Sequence, residues 1–129
     1  HWIPEWRGVR SLPQRNVLHR HTVDRHMVET AVSAAALTRE VHRPDLLLFT
    51  ALFHDIGKGT QEDHSERGVR LIEQIAQRIG FDAKDIEASC RFLFYVYPIH
   101  NLLIRRIARN QILHGSSYRK VVVLLHRLF

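Results

Sequence analysis

The feature that most constrains the fold is a segment in the middle of the chain with almost no polar side chain. Residues 46–53 are all apolar except for one threonine. A helix that is apolar on every side has to be buried, and Pro44 suits the first turn of such a helix. The sequence therefore predicts a helix from Pro44 to about Asp55 at the centre of the domain, covered by other elements.

Helical periodicity before and after this segment predicts the helices that would cover it. Apolar residues recur at three- and four-residue steps, with Thr22 as a predicted N-cap and Gly80 as a stop signal. One helix should turn its hydrophobic residues inward at Val69, Ile72, Ile75 and Ile79. The predicted helices span residues 22–41, 44–55, 64–79, 82–97, 99–113 and 117–128. With almost no strand predicted, the fold class is all-α, a helical bundle.

The length of 129 residues allows one domain. Pro4, Gly8 and Pro13 break up the first 20 residues, which we interpret as an irregular N-terminal segment or a former linker. Its tryptophans, Trp2 and Trp6, are expected on the domain surface or against a preceding domain. The domain proper is expected to span residues 21–129.

Cysteine usage and hydropathy narrow the class of protein. The single cysteine, Cys90, excludes an internal disulfide, and its apolar helical context indicates a small core residue rather than a nucleophile. The chain shows neither a signal-peptide pattern nor an apolar run of 18 residues. We therefore expect a cytoplasmic protein without a membrane span.

The net charge of +6 is concentrated in the last third of the chain. Residues 1–87 hold all 13 acidic residues and 12 basic ones, whereas residues 88–129 hold seven basic residues and no acidic one. A basic tail can bind nucleic acid. This tail lacks interleaved aromatic residues and any nucleic-acid-binding motif, so nucleic-acid binding is the function that the sequence favours least.

The candidate functional residues His54 and Asp55 lie where the apolar segment ends. Adjacent residues of a helix point about 100° apart, so they share a small ligand only where the helix ends. Gly57 supplies that break in the helix, and Lys58 follows it. Imidazole and carboxylate groups together favour a metal cation as the shared ligand.

Three more histidines, His26, His64 and His100, complete a spaced pattern of H, HD, H and H. That pattern, with the string HDIGKG at residues 54–59, resembles the HD superfamily of metal-dependent phosphohydrolases. Within it, the chain is most similar to the uridylyl-removing HD domains of bacterial bifunctional PII uridylyltransferases, especially actinobacterial ones. The resemblance covers about residues 2–93 and is carried by residues 3–6, 9–16, 22–26, 43–46, 51–59, 63–66 and 68.

The resemblance implies the fold, the cofactor and the roles of individual residues. The fold would be the HD-domain helical bundle. His26, His54 and Asp55 would be metal ligands for a divalent ion, Mg²⁺ or Mn²⁺. Lys58 and His64 would be catalytic residues, with Lys58 reaching the phosphate as a point charge. His64 and His100 would line a second metal or phosphate position.

The resemblance also implies the reaction and the partner. The reaction would be release of a nucleotidyl group, UMP or AMP, from a tyrosine of a PII-type nitrogen regulatory protein. The partner would be that nucleotidylated signalling protein. A broader alternative within the class is hydrolysis of a nucleotide or a cyclic dinucleotide, because the HDIGK string is widely shared.

Residues 93–129 depart from the family pattern. The family completes its first metal site with a late aspartate, but no aspartate follows Asp85, and Asn110 is the nearest equivalent. A neutral amide is a weaker ligand, so weak hydrolysis is expected. A divergent tail and a disrupted reading frame near residue 92 both account for the departure. The alternative function is a catalytically impaired HD-fold remnant or interaction module.

Overall fold

The computed structural model describes residues 2–14 and 21–93, and within these ranges it contains helices and no strand. A 3₁₀ helix, Pro4–Gly8, comes first. Three α-helices follow: α1, Val23–Ala35; α2, Pro44–Phe53; and α3, His64–Ile79. Residues 83–93, the end of the described range, form α4. The predicted all-α fold is confirmed.

The apolar helix α2 lies at the centre, as its composition predicts. Six of its ten residues are buried, including the polar Thr50, whose hydroxyl donates a hydrogen bond to the carbonyl of Leu46 in the preceding turn. Pro44 occupies the first turn. Helix α1 packs against α2, and the core around them comprises Val9, Val23, Met27, Phe49, Phe53, Ile56, Ile72, Ile75, Ala76 and Leu93.

Helix α1 is shorter than predicted, because it ends at Ala35 and not near Val41. Residues 36–39 form turns instead. The amide of Leu37 bonds to the carbonyl three residues back at 2.9 Å, and the Thr38 hydroxyl donates to the carbonyl of Ala35. A side-chain hydroxyl that bonds to a nearby carbonyl competes with the helical ladder. Periodicity does not report such local competition.

Helix α3 begins and ends where predicted. The Asp63 carboxylate accepts hydrogen bonds from the amides of Ser65 and Glu66, and Gly80 ends the helix with a φ of 92°. The prediction that Ile79 faces inward is wrong, because this side chain is 49% exposed. Ile79 is the last residue of the helix. Helical spacing identifies the inward face but not the point at which neighbouring elements stop covering it.

The N-terminal segment is attached to the bundle. Val9 is fully buried, and the Trp6 ring packs edge-on against Phe53 with centroids 6.1 Å apart. Trp2, in contrast, is 90% exposed. The carbonyl of Leu12 accepts a hydrogen bond from the first amide of α1, that of Val23, at 2.9 Å. These contacts hold the N-terminal segment against α2 at Trp6 and against the start of α1 at Leu12.

Among the described residues, no helix is long and apolar enough to cross a membrane.

Candidate metal centre

The candidate site is built on the turn that ends α2. His54 caps the helix with helical dihedral angles, and the amide of Ile56 bonds to the carbonyl of Phe53 at 3.0 Å. The amide of Lys58 bonds to the carbonyl of Asp55 at 3.0 Å. The i to i+3 spacing of these bonds is tighter than that of an α-helix. The turn thus allows the side chains of His54 and Asp55 to approach one point.

Gly57 is required at this turn for a steric reason. It does not act by adopting a left-handed backbone conformation, because its φ is not positive. A Cβ atom at Gly57 would lie 2.0 Å from the carbonyl oxygen of His64 and 2.6 Å from the amide nitrogen of Gly68. The first turns of α3 therefore lie directly against the turn that carries His54 and Asp55.

The three predicted metal ligands come together at this turn. His26 reaches it from α1, and its Nε2 lies 3.3 Å from Nε2 of His54 and 3.8 Å from Oδ2 of Asp55. The His54 Nε2 and Asp55 Oδ2 atoms are 3.5 Å apart. Donor atoms that share one ion at about 2.0–2.2 Å lie about 3.0–3.5 Å from one another. Two of the three separations lie in this range and the third, 3.8 Å, is slightly longer, and the chemistry of the cluster fits a divalent metal.

A backbone contact orients the His54 ring. Its Nδ1 donates a hydrogen bond to the carbonyl of Ala51 at 2.8 Å, because a carbonyl oxygen can only accept. The neutral ring then carries its lone pair on Nε2, the atom that faces His26 and Asp55. This is the arrangement that orients a metal-binding histidine in proteins.

Lys58 lies at the edge of the cluster. Its Nζ donates to Oδ2 of Asp55 at 2.7 Å and to Oε1 of Gln14 at 3.0 Å. Asp55 is 1% exposed, and burial of a carboxylate is costly unless it is paired. The Lys58 side chain is 23% exposed, so it lies between the buried cluster and solvent.

His64 is the first residue of α3 and is partly buried. Its backbone contacts the turn through the close approach to Gly57 described above. The Asp63 carboxylate beside it caps the helix, and the hydrogen bonds from the amides of Glu66 and Ser65 hold the pKa of Asp63 below its usual range. The role of His64 in binding a second metal or a phosphate stays a prediction. His100 and Asn110 lie outside the described residues.

Two residues that contact the site received no role from the sequence. Arg67 donates from Nη1 to the carbonyls of Gly57 and Lys58, both at 3.0 Å, and so braces the turn from α3. Gln14 contacts Lys58 across 44 residues of sequence. Gln14 falls within the string 9–16 that carries the family resemblance, but a string of residues gives no indication of a distant contact.

Comparisons with known proteins agree with this architecture. The HD domain family model matches residues 23–115. The chain is 46% identical over 119 residues to the bifunctional uridylyltransferase/uridylyl-removing enzyme of Streptomyces coelicolor, an alignment that covers 92% of this chain and 14% of that protein. It is 52% identical over 91 residues to the protein of the same name in Mycobacterium tuberculosis, covering 70% of this chain and 11% of that one.

The chain thus spans a small part of the length of these relatives, and both the family match and the Streptomyces alignment extend beyond residue 93. No solved structure matches the chain. The family match, over more than half of the chain, shows that this protein belongs to the HD domain family.

Proposed function

We propose that this domain hydrolyses a phosphodiester bond and thereby removes a nucleotidyl group, UMP or AMP, from a PII-type regulatory protein. The observation that carries the proposal is the convergence of His26, His54 and Asp55, whose ligand atoms all lie within 4.8 Å of one another. The name of the relatives, uridylyl-removing enzyme, supports the choice of substrate.

The residues of the cluster fit the demands of this reaction. His26, His54 and Asp55 would hold a divalent metal, which would supply a positive centre for the phosphoryl oxygens and make water more acidic. Lys58 adds a positive charge at the solvent side of the cluster, where a non-bridging phosphoryl oxygen can accept a hydrogen bond from it. His64, on the adjoining start of α3, is proposed to contact the same phosphate.

The proposed reaction is a simple hydrolysis. The oxygen of water forms a bond to phosphorus while the bond between phosphorus and the tyrosine oxygen breaks. One proton of the water passes to the departing tyrosine oxygen, and the other is released from the monophosphate group. The products are the nucleoside monophosphate and the unmodified tyrosine.

The proposal is tested by incubating the chain with a uridylylated or adenylylated PII-type protein and Mn²⁺, and by following the mass of the PII protein. Because the late aspartate is absent, we expect weak Mn²⁺-dependent release of the nucleotide, lost in His54→Ala and Asp55→Ala. His42→Ala, which changes an exposed histidine outside the cluster, is the matched control. Release that survives His54→Ala would contradict the proposal.

The second candidate is an impaired HD domain that binds metal and partner without turnover. The observation that favours it is the absence of any aspartate after Asp85. Under this alternative, Mn²⁺ binds but the modified PII protein keeps its nucleotide. Asn110→Asp would then restore release if this residue supplies the missing ligand. Hydrolysis of free nucleotides or cyclic dinucleotides, but not of the modified protein, would favour the broader nucleotide-hydrolase function.

A further inference from the structure

The ammonium of Lys58 is held by two acceptors, one from its own turn and one from a distant part of the chain. One is Oδ2 of Asp55 at 2.7 Å, and the other is Oε1 of Gln14 at 3.0 Å. A lysine side chain is a flexible four-carbon stem, so its backbone position alone does not determine where the charge lies. The acceptors decide that position, and Asp55 is also a proposed metal ligand.

The segment that carries Gln14 is anchored close to the site. The carbonyl of Leu12 bonds to the first amide of α1, the helix that supplies His26. On the other side, a Cβ atom at Gly59 would lie 2.8 Å from Leu12 Cδ2, so the segment lies directly on the loop that follows Lys58. Gly59 has a φ of 98°, which favours glycine and permits this approach.

A second contact holds the turn that precedes Leu12. Ser11 has a φ of 55°, in the left-handed region. The hydroxyl of Thr22 and the amide of Ser11 lie beside the Asp24 carboxyl group and lower the pKa of Asp24. The backbone before Gln14 is thus held at the start of α1, where the carbonyl of Leu12 accepts a hydrogen bond from the amide of Val23.

We propose that Gln14 is a positioning residue that directs the Lys58 ammonium toward the phosphoryl group of the substrate. An ammonium has three N–H donors. Asp55 and Gln14 accept from two of them, and their positions determine the direction of the third. Because a carboxamide is neutral, Gln14 orients the charge of Lys58 without neutralising it. The inference rests on the proposed function, in which Lys58 contacts the phosphate.

The first test needs no substrate. Acetic anhydride labels lysine amines, and peptide mass spectrometry gives the rate at Lys58 relative to the exposed Lys84 of the same chain. Because an amine held by acceptors must break those bonds to react, Gln14→Met should raise the relative rate at Lys58 about tenfold. Gln14→Glu, which keeps an acceptor, should not. Gln74→Met, at an exposed position of α3, is the control.

The second test measures UMP binding to the Mn²⁺-loaded chain by equilibrium dialysis. Gln14→Met should weaken UMP binding about tenfold while leaving Mn²⁺ affinity within about twofold. Gln14→Glu should also weaken UMP binding, because its negative charge opposes the phosphate. In a double-mutant cycle, Gln14→Met should cost nothing further once Lys58→Met is present, since Gln14 acts through Lys58.

The outcomes separate this inference from the proposed function. An unchanged acetylation rate at Lys58 in Gln14→Met, or additive effects in the double-mutant cycle, would overturn the role of Gln14. A wild-type chain that binds no UMP would count against the proposed function, and the acetylation rates would still decide whether Gln14 holds Lys58. If circular dichroism shows that Gln14→Met does not fold, Gln14→Asn, one carbon too short to reach, replaces it.

Discussion

At the scale of single residues, the site depends on one buried oxygen atom. Oδ2 of Asp55 lies 2.7 Å from the Lys58 ammonium and 3.5 and 3.8 Å from the ring nitrogens of His54 and His26. A buried carboxylate is stabilised in its charged form by nearby positive groups. In the proposed metal site, Asp55 would supply the negative charge that balances a cation held between the two histidines.

Replacing that charge tests the metal site directly. Asp55→Asn keeps the shape of the side chain but removes its charge, so we expect Mn²⁺ affinity to fall at least about tenfold. Mn²⁺ titration followed by electron paramagnetic resonance measures it. The control is Asp45→Asn, at the other end of α2, where the carboxylate pairs with Arg43. Equal Mn²⁺ affinity in wild type and Asp55→Asn would remove Asp55 from the metal site.

Cys90 provides a prediction away from the site. Burial, with a smaller contribution from Glu73, raises the pKa of its thiol to about 11. Because the thiolate is the reactive form, alkylation by iodoacetamide should be slow in the folded chain at pH 8 and should accelerate as the pH approaches 11. Mass spectrometry follows the modification. Folded and urea-unfolded chains that react equally fast at pH 8 would contradict this prediction.

At the scale of secondary-structure elements, the site is the junction of α1, α2 and α3. Helix α2 contributes the turn with His54 and Asp55, α1 contributes His26, and α3 braces the turn through Arg67. At Gly57 the backbones of the turn and of α3 lie close together, leaving no room for a Cβ atom. The packing of α3 on the turn should thus depend on the absence of a side chain there.

Adding one methyl group at Gly57 should separate these elements. Its Cβ would lie 2.0 Å from a backbone oxygen, so Gly57→Ala should lower the free energy of unfolding by about 1–3 kcal/mol or more. Urea denaturation followed by circular dichroism measures it. Gly8→Ala is the matched control, because the nearest atom to its Cβ is a side-chain atom of Arg67 at 3.6 Å. Similar losses in both variants would refute the steric explanation.

At the scale of the whole molecule, the N-terminal segment packs against helices that follow much later in the chain. Glu5 pairs with Arg78, 73 residues later, at the end of α3, and the Glu5 side chain is only 9% exposed. Val9 enters the core, and Gln14 reaches Lys58. One end of the described chain thus contacts both the far end of α3 and the candidate metal centre.

The pair of Glu5 and Arg78 should make stability depend on pH. The hydrogen bond from Arg78 holds the pKa of Glu5 below its ordinary value of 4.5. A carboxylate with a lowered pKa in the folded state stabilises the fold above its ordinary pKa, and this stabilisation is lost as the pH falls through the folded value. Urea denaturation between pH 6 and pH 3 should therefore show a shallower decline in Glu5→Gln and in Arg78→Met than in wild type. Unchanged slopes in both variants would contradict it.

The sequence by itself determined which segments form helices and where the candidate site residues lie along the chain. The burial of α2 follows from its uniformly apolar composition, and the limits of α3 follow from the capping Asp63 and the stop at Gly80. End capping is a local property because it acts on neighbouring residues, and the need to bury α2 follows from the composition of α2 itself. The motif with His26, His54 and Asp55 was also visible, since its spacing matches a known family.

The tertiary structure alone decided which distant groups meet. The exposure of Ile79, the steric need for Gly57 and the contact between Gln14 and Lys58 each depend on packing between elements. Periodicity reports which face of a helix is apolar, but it carries no information about what covers that face. The direction of the flexible Lys58 side chain likewise depends on Gln14, an acceptor 44 residues away, so a local pattern in the sequence does not encode it.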